Sequence, residues 1–139
     1  MGILNTRLGK IHYLYEYKKN KPCIFFIGGL GSNISSWDEQ EKFFKDYFSI
    51  LRFDNLGSGK SSNIDDSLTM EIYAENCNEI FEKLKIKKAH VIGKSMGGMI
   101  AQVFAAKYNN KVDRLVLACT CSTRDKINDE IIDISKKIV

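Results

Sequence analysis

Five consecutive residues, Gly93-Lys94-Ser95-Met96-Gly97, carry the pattern G-x-S-x-G, and the chemistry this pattern serves is attack by a serine hydroxyl on an electrophilic carbon. Such a serine works when it sits on a sharp turn between a strand and a helix. Gly93 and Gly97, two positions to either side, lack the side chains that would hold strand and helix apart. The hydroxyl then stands clear of the sheet at the positive end of a helix, where a developing oxyanion is stabilised. The competing reading is a tight strand-to-helix turn without chemistry.

A serine nucleophile needs a base within hydrogen-bond reach, and the chain has two histidines, His12 and His90. His90 opens the strand that ends before Ser95; at ~3.3 Å per residue it lies about 16 Å away, at the wrong end of the sheet. His12 falls in an early antiparallel strand and is expected to be a partly exposed strand residue. Neither is a credible base.

Two further groupings invite other chemistry. Gly57-Ser-Gly-Lys-Ser61 resembles the end of a phosphate-binding loop, G-x-x-x-x-G-K-S, but Asp54 stands where the first glycine belongs and would repel phosphate. Residues 63–67 read as loop, not as the helix such a site requires. Cys23, Cys77, Cys119 and Cys121 lie within or beside apolar runs, as expected of reduced thiols in a cytoplasmic protein. Cys119-x-Cys121 has no second Cys/His pair, so no metal site is expected.

The elements that must position Ser95 follow from hydrophobic period. Residues 11–17 alternate and are aromatic, predicting an antiparallel strand in a hairpin with residues 3–8. Apolar runs at 23–27, 49–53 and 89–93 predict buried strands, and 112–119 reads as a fourth strand of parallel type. Ser36 with Glu39 suggests a capping box opening a short helix through Phe44 and Tyr47. Tyr73, Cys77, Ile80, Phe81 and Leu84 share one helical face over 69–85, and Ile100, Val103 and Phe104 share one over 96–108. Ile127, Ile131, Ile134 and Ile138 line a last amphipathic helix. Strands alternating with helices predict an α/β fold around a mostly parallel sheet, with right-handed crossovers putting helices on both faces.

The 139 residues suffice for one compact domain, and 44% hydrophobic with 27% charged residues is a globular composition. The net charge of +4 comes from lysines interspersed with acids, a mixed solvated surface that argues against a nucleic-acid or membrane partner. The first nine residues have no apolar run of the kind that leads to secretion, and no stretch is apolar enough to span a bilayer.

With these elements in place, His90-Val-Ile-Gly-Lys-Ser-Met-Gly-Gly-Met-Ile-Ala-Gln102 resembles the nucleophile elbow of the α/β-hydrolase superfamily, in its branch of esterases, enol-lactonases and carbon–carbon bond hydrolases. Ile27-Gly-Gly-Leu-Gly-Ser32 resembles the oxyanion-loop segment, with Gly28 where histidine is more usual. Asp54-Asn-Leu-Gly-Ser-Gly-Lys-Ser61 resembles the D-x-x-G-x-G-x-S turn, with Leu56 where arginine or proline is common. The resemblance implies Ser95 as nucleophile, the backbone N–H groups of Met96 and Leu30 as oxyanion donors, and Gly28, Gly29, Gly93 and Gly97 as the glycines of loop and elbow. Asp54 and Gly57 would shape the turn beside the site, with Asp54 a turn former and not the catalytic acid. Trp37 would line the pocket mouth or pack.

The same resemblance implies an acid and a histidine after later strands. Residues 1–122 would be the N-terminal part of the core, truncated before the last strands, and 123–139 the start of a lid. The implied activity is hydrolysis of a small carboxylic ester, lactone or related acyl compound through an acyl-serine, without metal or organic cofactor. This chain alone is expected to be inactive, with an open sheet edge at 112–119 that a C-terminal half would cover or that would drive self-association. The alternative is a non-catalytic fragment or interaction module of the same fold.

Overall fold

The computed structural model describes residues 1–64 and 68–122, so the expected helix over 123–139, and part of the 63–67 loop, lie outside the described residues. Six strands form one mixed sheet in the order β1-β2-β4-β3-β5-β6. The hairpin β1 (Gly2–Thr6) and β2 (Gly9–Glu16) joins β4 (Ser49–Phe53) in antiparallel fashion. The remaining pairs, β4 with β3 (Cys23–Ile27), β3 with β5 (Ala89–Lys94) and β5 with β6 (Val112–Ala118), are parallel.

The crossovers explain the layers. From β3 the chain passes through a 3-10 turn, Ile34–Trp37, and α1 (Asp38–Phe44) to β4 on one side of β3. It then returns through α2 (Met70–Lys83) to β5 on the other side, and continues in the same direction through α3 (Met96–Lys107) to β6. Right-handed crossovers running in opposite directions place α1 on one face and α2 with α3 on the other. The order of strands therefore reverses at β3, and the crevice between the carboxyl ends of β3 and β5 is the switch point where open α/β sheets bind ligands.

Alternation along β3 feeds two cores. Phe25 and Ile27 join the larger one under α2 and α3, where Phe25 stacks on Phe53 at 5.1 Å and meets the edge of Phe81 at 5.0 Å. Ile24 and Phe26 face α1, where Phe26 lies 4.6 Å from Trp37. Trp37 is thus a buried packing residue. Along β6 the pattern changes: among the described residues it pairs only with β5, and Leu115, Val116 and Leu117 are all exposed.

Four local expectations need correction. His12 is 7% exposed, not partly solvated, because its ring is turned inward onto Asp54. Ser36 and Glu39 form no capping box. Asn33 caps the 3-10 turn instead, accepting from the Ser35 N–H, while Glu39 pairs with Lys42. α1 ends at Phe44, short of Tyr47, and β6 ends at Ala118 because Cys119 turns away with φ 49°. Among the described residues no helix is long and apolar enough to cross a membrane.

Candidate active site

β5 ends at Lys94, α3 begins at Met96, and Ser95 makes the whole turn between them at φ 55° and ψ −125°. That backbone state favours glycine and costs a serine about 1–3 kcal/mol, so the surroundings must hold it. They do so through four hydrogen bonds to the serine's own peptide groups. The Ser95 N–H donates to the Ala118 carbonyl at 3.0 Å. Its carbonyl accepts from Thr120 Oγ1 at 2.8 Å, Gly98 N at 2.8 Å and Met99 N at 3.3 Å.

The glycines let the segments touch. A Cβ on Gly93 would collide with the Gly97 carbonyl, one on Gly97 with the carbonyls of Ile27 and Gly28, and one on Gly98 with the Thr120 side chain. A Cβ on Gly29 would stand 3.3 Å from the Ser95 Cβ and 3.8 Å from its hydroxyl. The loop after β3 therefore lies directly against the serine. Ser95 is exposed, and the Met96 N–H opens α3, where no carbonyl of the helix lies in position to accept from it; the Gly98 and Met99 amides behind it are already spent on the Ser95 carbonyl. An exposed hydroxyl, a free helix N-terminus and a close backbone loop can together receive an anion formed on a carbonyl oxygen.

Asp54 organises the neighbouring turn. Its carboxylate, 1% exposed, accepts from Ile34 N at 2.7 Å and Lys60 N at 2.8 Å, with His12 Nδ1 at 2.8 Å. A Cβ on Gly59 would collide with the same carboxylate. Of the N–H groups that a phosphate loop would offer to its ligand, that of Lys60 is already taken by this acid and those of Gly57, Ser58 and Ser61 by backbone carbonyls, and no helix begins at Ser61. Gly57 turns the chain at φ +77°.

Neither histidine approaches Ser95. His12 lies on β2, three strand spacings of about 4.8 Å from β5. His90 sits at the start of β5, 3.2 Å from Asp113. Among the described residues no three His, Cys, Asp or Glu side chains converge as metal ligands.

Three residues that the sequence reading passed over hold the site together: Ser32, Asn55 and Thr120. Asn55, 2% exposed, donates from Nδ2 to the Gly28 carbonyl at 2.9 Å. Ser32 binds the Gly29 carbonyl and Thr120 the Ser95 carbonyl. Ser32 and Asn55 did lie inside motifs already singled out, which was the available signal.

This arrangement, a strained serine between parallel strand and helix at the switch point of a 1-2-4-3-5-6 sheet, agrees with comparison to known families. The family model described as alpha/beta hydrolase fold matches residues 22–138. The chain belongs to the alpha/beta hydrolase fold family. Among curated relatives, it is 32% identical to a bifunctional esterase/perhydrolase of Acinetobacter calcoaceticus, over 84% of this chain and 44% of that protein. It is 25% identical to 3-oxoadipate enol-lactonase 2 of Acinetobacter baylyi, over 81% of this chain and 42% of that one. An alpha/beta hydrolase enzyme from a Medee basin deep-sea metagenome superimposes with a TM-score of 0.92 at 29% identity, covering 99% of this chain and 50% of that structure. The chain spans less than half the length of these two curated relatives and about half of this solved structure.

Proposed function

We propose that this chain carries the nucleophile and oxyanion hole of a hydrolase acting on a small carboxylic ester, lactone or related acyl compound. The observation that carries this reading is the Ser95 backbone at φ 55° with the Gly29 loop pressed against it. The Ser95 hydroxyl attacks the acyl carbon, its proton passing to a base, and the N–H groups of Met96 and Leu30 receive the charge on the carbonyl oxygen. The alcohol leaves, and water releases the acid from the acyl-serine. No step calls for a metal or organic cofactor. The hydrolase names of the relatives support the reaction class.

By itself the chain is inactive or nearly so, because His12 is committed to Asp54 and His90 stands at the opposite end of β5. The base and its orienting acid would come from sequence outside the described residues, and without them only the residual effect of the oxyanion hole and binding remains. That same commitment of both histidines favours a second reading, a non-catalytic interaction module. The free thiols Cys23, Cys77, Cys119 and Cys121 support a cytoplasmic setting.

Two measurements separate these readings. The reading frame past the codon for Val139 is sequenced, and Ser95 is challenged with a fluorophosphonate in the chain and in any longer product. A longer product that labels at Ser95, with labelling lost in Ser95→Ala, supports the enzyme. Failure of Ser95 to react even when a downstream half is supplied would favour the module.

A further inference from the structure

We infer that Ser32 is a positioning residue that aims the Leu30 N–H, an inference resting on the oxyanion role just proposed for that amide. The Gly29 carbonyl accepts from Ser32 Oγ at 2.8 Å and from the Ser32 N–H at 3.3 Å. This carbonyl and the Leu30 N–H belong to one planar peptide unit. This peptide bond is trans, as are all those among the described residues, so the two groups point in opposite directions. Whatever holds the carbonyl therefore sets the direction of the amide. One unit earlier, Asn55 Nδ2 holds the Gly28 carbonyl at 2.9 Å and so steadies the peptide that leads into Gly29. The loop is tied at two successive carbonyls, from inside by Asn55 and from its own far end by Ser32.

Gly28 completes the device. A Cβ at this position would fall on the Ser32 Oγ. The missing side chain is the space in which the serine hydroxyl reaches the Gly29 carbonyl. Ser32 and Gly28 therefore act as a pair: a larger residue at 28 displaces the hydroxyl, and removing the hydroxyl leaves the space at 28 empty. Without the Ser32 Oγ the Gly29–Leu30 peptide keeps only the longer bond from the Ser32 N–H and can rock. An oxyanion donor that rocks stabilises less charge, since the benefit depends on its direction being set beforehand.

The test uses the full chain as Ser32→Ala, Ser32→Thr, Gly28→Ala and the Gly28→Ala/Ser32→Ala double variant, with two readouts. The first is the amide cross-peak of Leu30 in a 15N-labelled sample. The second is the rate of fluorophosphonate labelling at Ser95, measured by intact mass at alkaline pH, where hydroxide stands in for a base. Ser32→Ala moves the Leu30 cross-peak and slows labelling about 2- to 10-fold, the loss expected from one neutral hydrogen bond. Ser32→Thr restores both. Gly28→Ala reproduces Ser32→Ala, and the double variant adds nothing further. A Leu30 cross-peak that stays in place in Ser32→Ala overturns the inference. So does a cross-peak that moves while labelling keeps its rate, because Ser32 would then hold a loop and not an oxyanion donor. If Ser95 labels in no variant even with a downstream half supplied, the nucleophile reading fails, while the Leu30 signal still decides whether Ser32 aims that amide.

Discussion

The Gly97 α-carbon lies against the Ile27 carbonyl, so the first turn of α3 and the end of β3 touch with no side chain between them. A methyl group there would strike two backbone carbonyls, those of Ile27 and Gly28, and neither can swing aside as a side chain could. Gly97→Ala should therefore cost more than the ~1–3 kcal/mol typical of an overpacked core site. The expected outcome is loss of soluble folded chain, read from circular dichroism and yield. A variant that melts like the parent would show that α3 has room to retreat from β3.

Ser95 gives the opposite sign. Its φ of 55° is strained for any residue with a Cβ, and its hydroxyl makes no hydrogen bond within the described residues. Ser95→Gly should stabilise by about 1 kcal/mol, the strain relieved less the entropy glycine adds to the unfolded chain. Ser95→Ala, which keeps the Cβ, should change stability little. Urea unfolding of the two variants distinguishes them, and equal midpoints would mean that the turn is not strained.

Asp54 is a structural acid whose loss is costly. Removing its carboxylate in Asp54→Ala leaves the N–H groups of Ile34 and Lys60 and the His12 ring buried without partners. The expected loss is about 3–5 kcal/mol, a large part of the 5–15 kcal/mol available to a domain. Asp54→Asn, which keeps the shape and one acceptor, should lose less. Equilibrium denaturation measures both.

These three predictions mark how far the sequence could be read. The elements were legible because burial imposes period: the apolar runs at 23–27 and 89–93 became β3 and β5, and the spaced apolar positions over 69–85 became α2 with Thr69 as its cap. The elbow was legible because close approach of strand and helix tolerates only glycine at Gly93 and Gly97. His12 was misjudged because its burial depends on Asp54, a partner on another strand, which no local pattern announces. The Ser36 capping box failed because Asn33 starts the turn earlier, with a side chain that caps equally well. Ser32, Asn55 and Thr120 were invisible as clamps because each binds a backbone carbonyl, and the loop conformation that brings each carbonyl into reach exists only in the fold.

The thiols should divide into two classes. Burial pushes Cys23 from 9.0 to about 12 and raises Cys77 as well, so both are protonated and shielded at neutral pH. Iodoacetamide should modify exposed Cys119 in the native chain, and Cys23 and Cys77 only after unfolding. Burial likewise pushes Tyr15 from 10.0 to about 12. Each of these groups holds its proton more tightly when folded. Their contribution to stability is complete below about pH 9 and is lost as pH rises toward 12, because the unfolded state ionises first. A melting temperature that stays flat from pH 9 to 11 would contradict this assignment.

Among the described residues, the outer edge of β6 has no strand partner and is flanked by exposed Leu115, Val116 (49% exposed) and Leu117. Edges of this kind pair with other chains unless a charge interrupts them. The isolated chain should self-associate in a concentration-dependent way in sedimentation velocity, and Val116→Lys should return it toward monomer. A clean monomer of the unaltered chain at the same concentrations would mean that this edge is covered.

The bonds that hold the Ser95 peptide also set an order in time. The carbonyl of Ala118 and the hydroxyl of Thr120 are synthesised after the serine they restrain. On the ribosome, Ser95 leaves the exit tunnel before its clamps exist, and its peptide is then free to relax to an ordinary negative φ. The hydroxyl takes up its displayed position only when the strand following α3 has arrived and docked. The serine proposed as nucleophile would therefore lack its strained turn through the early part of its own synthesis, and the last described strand would be the step that fixes it.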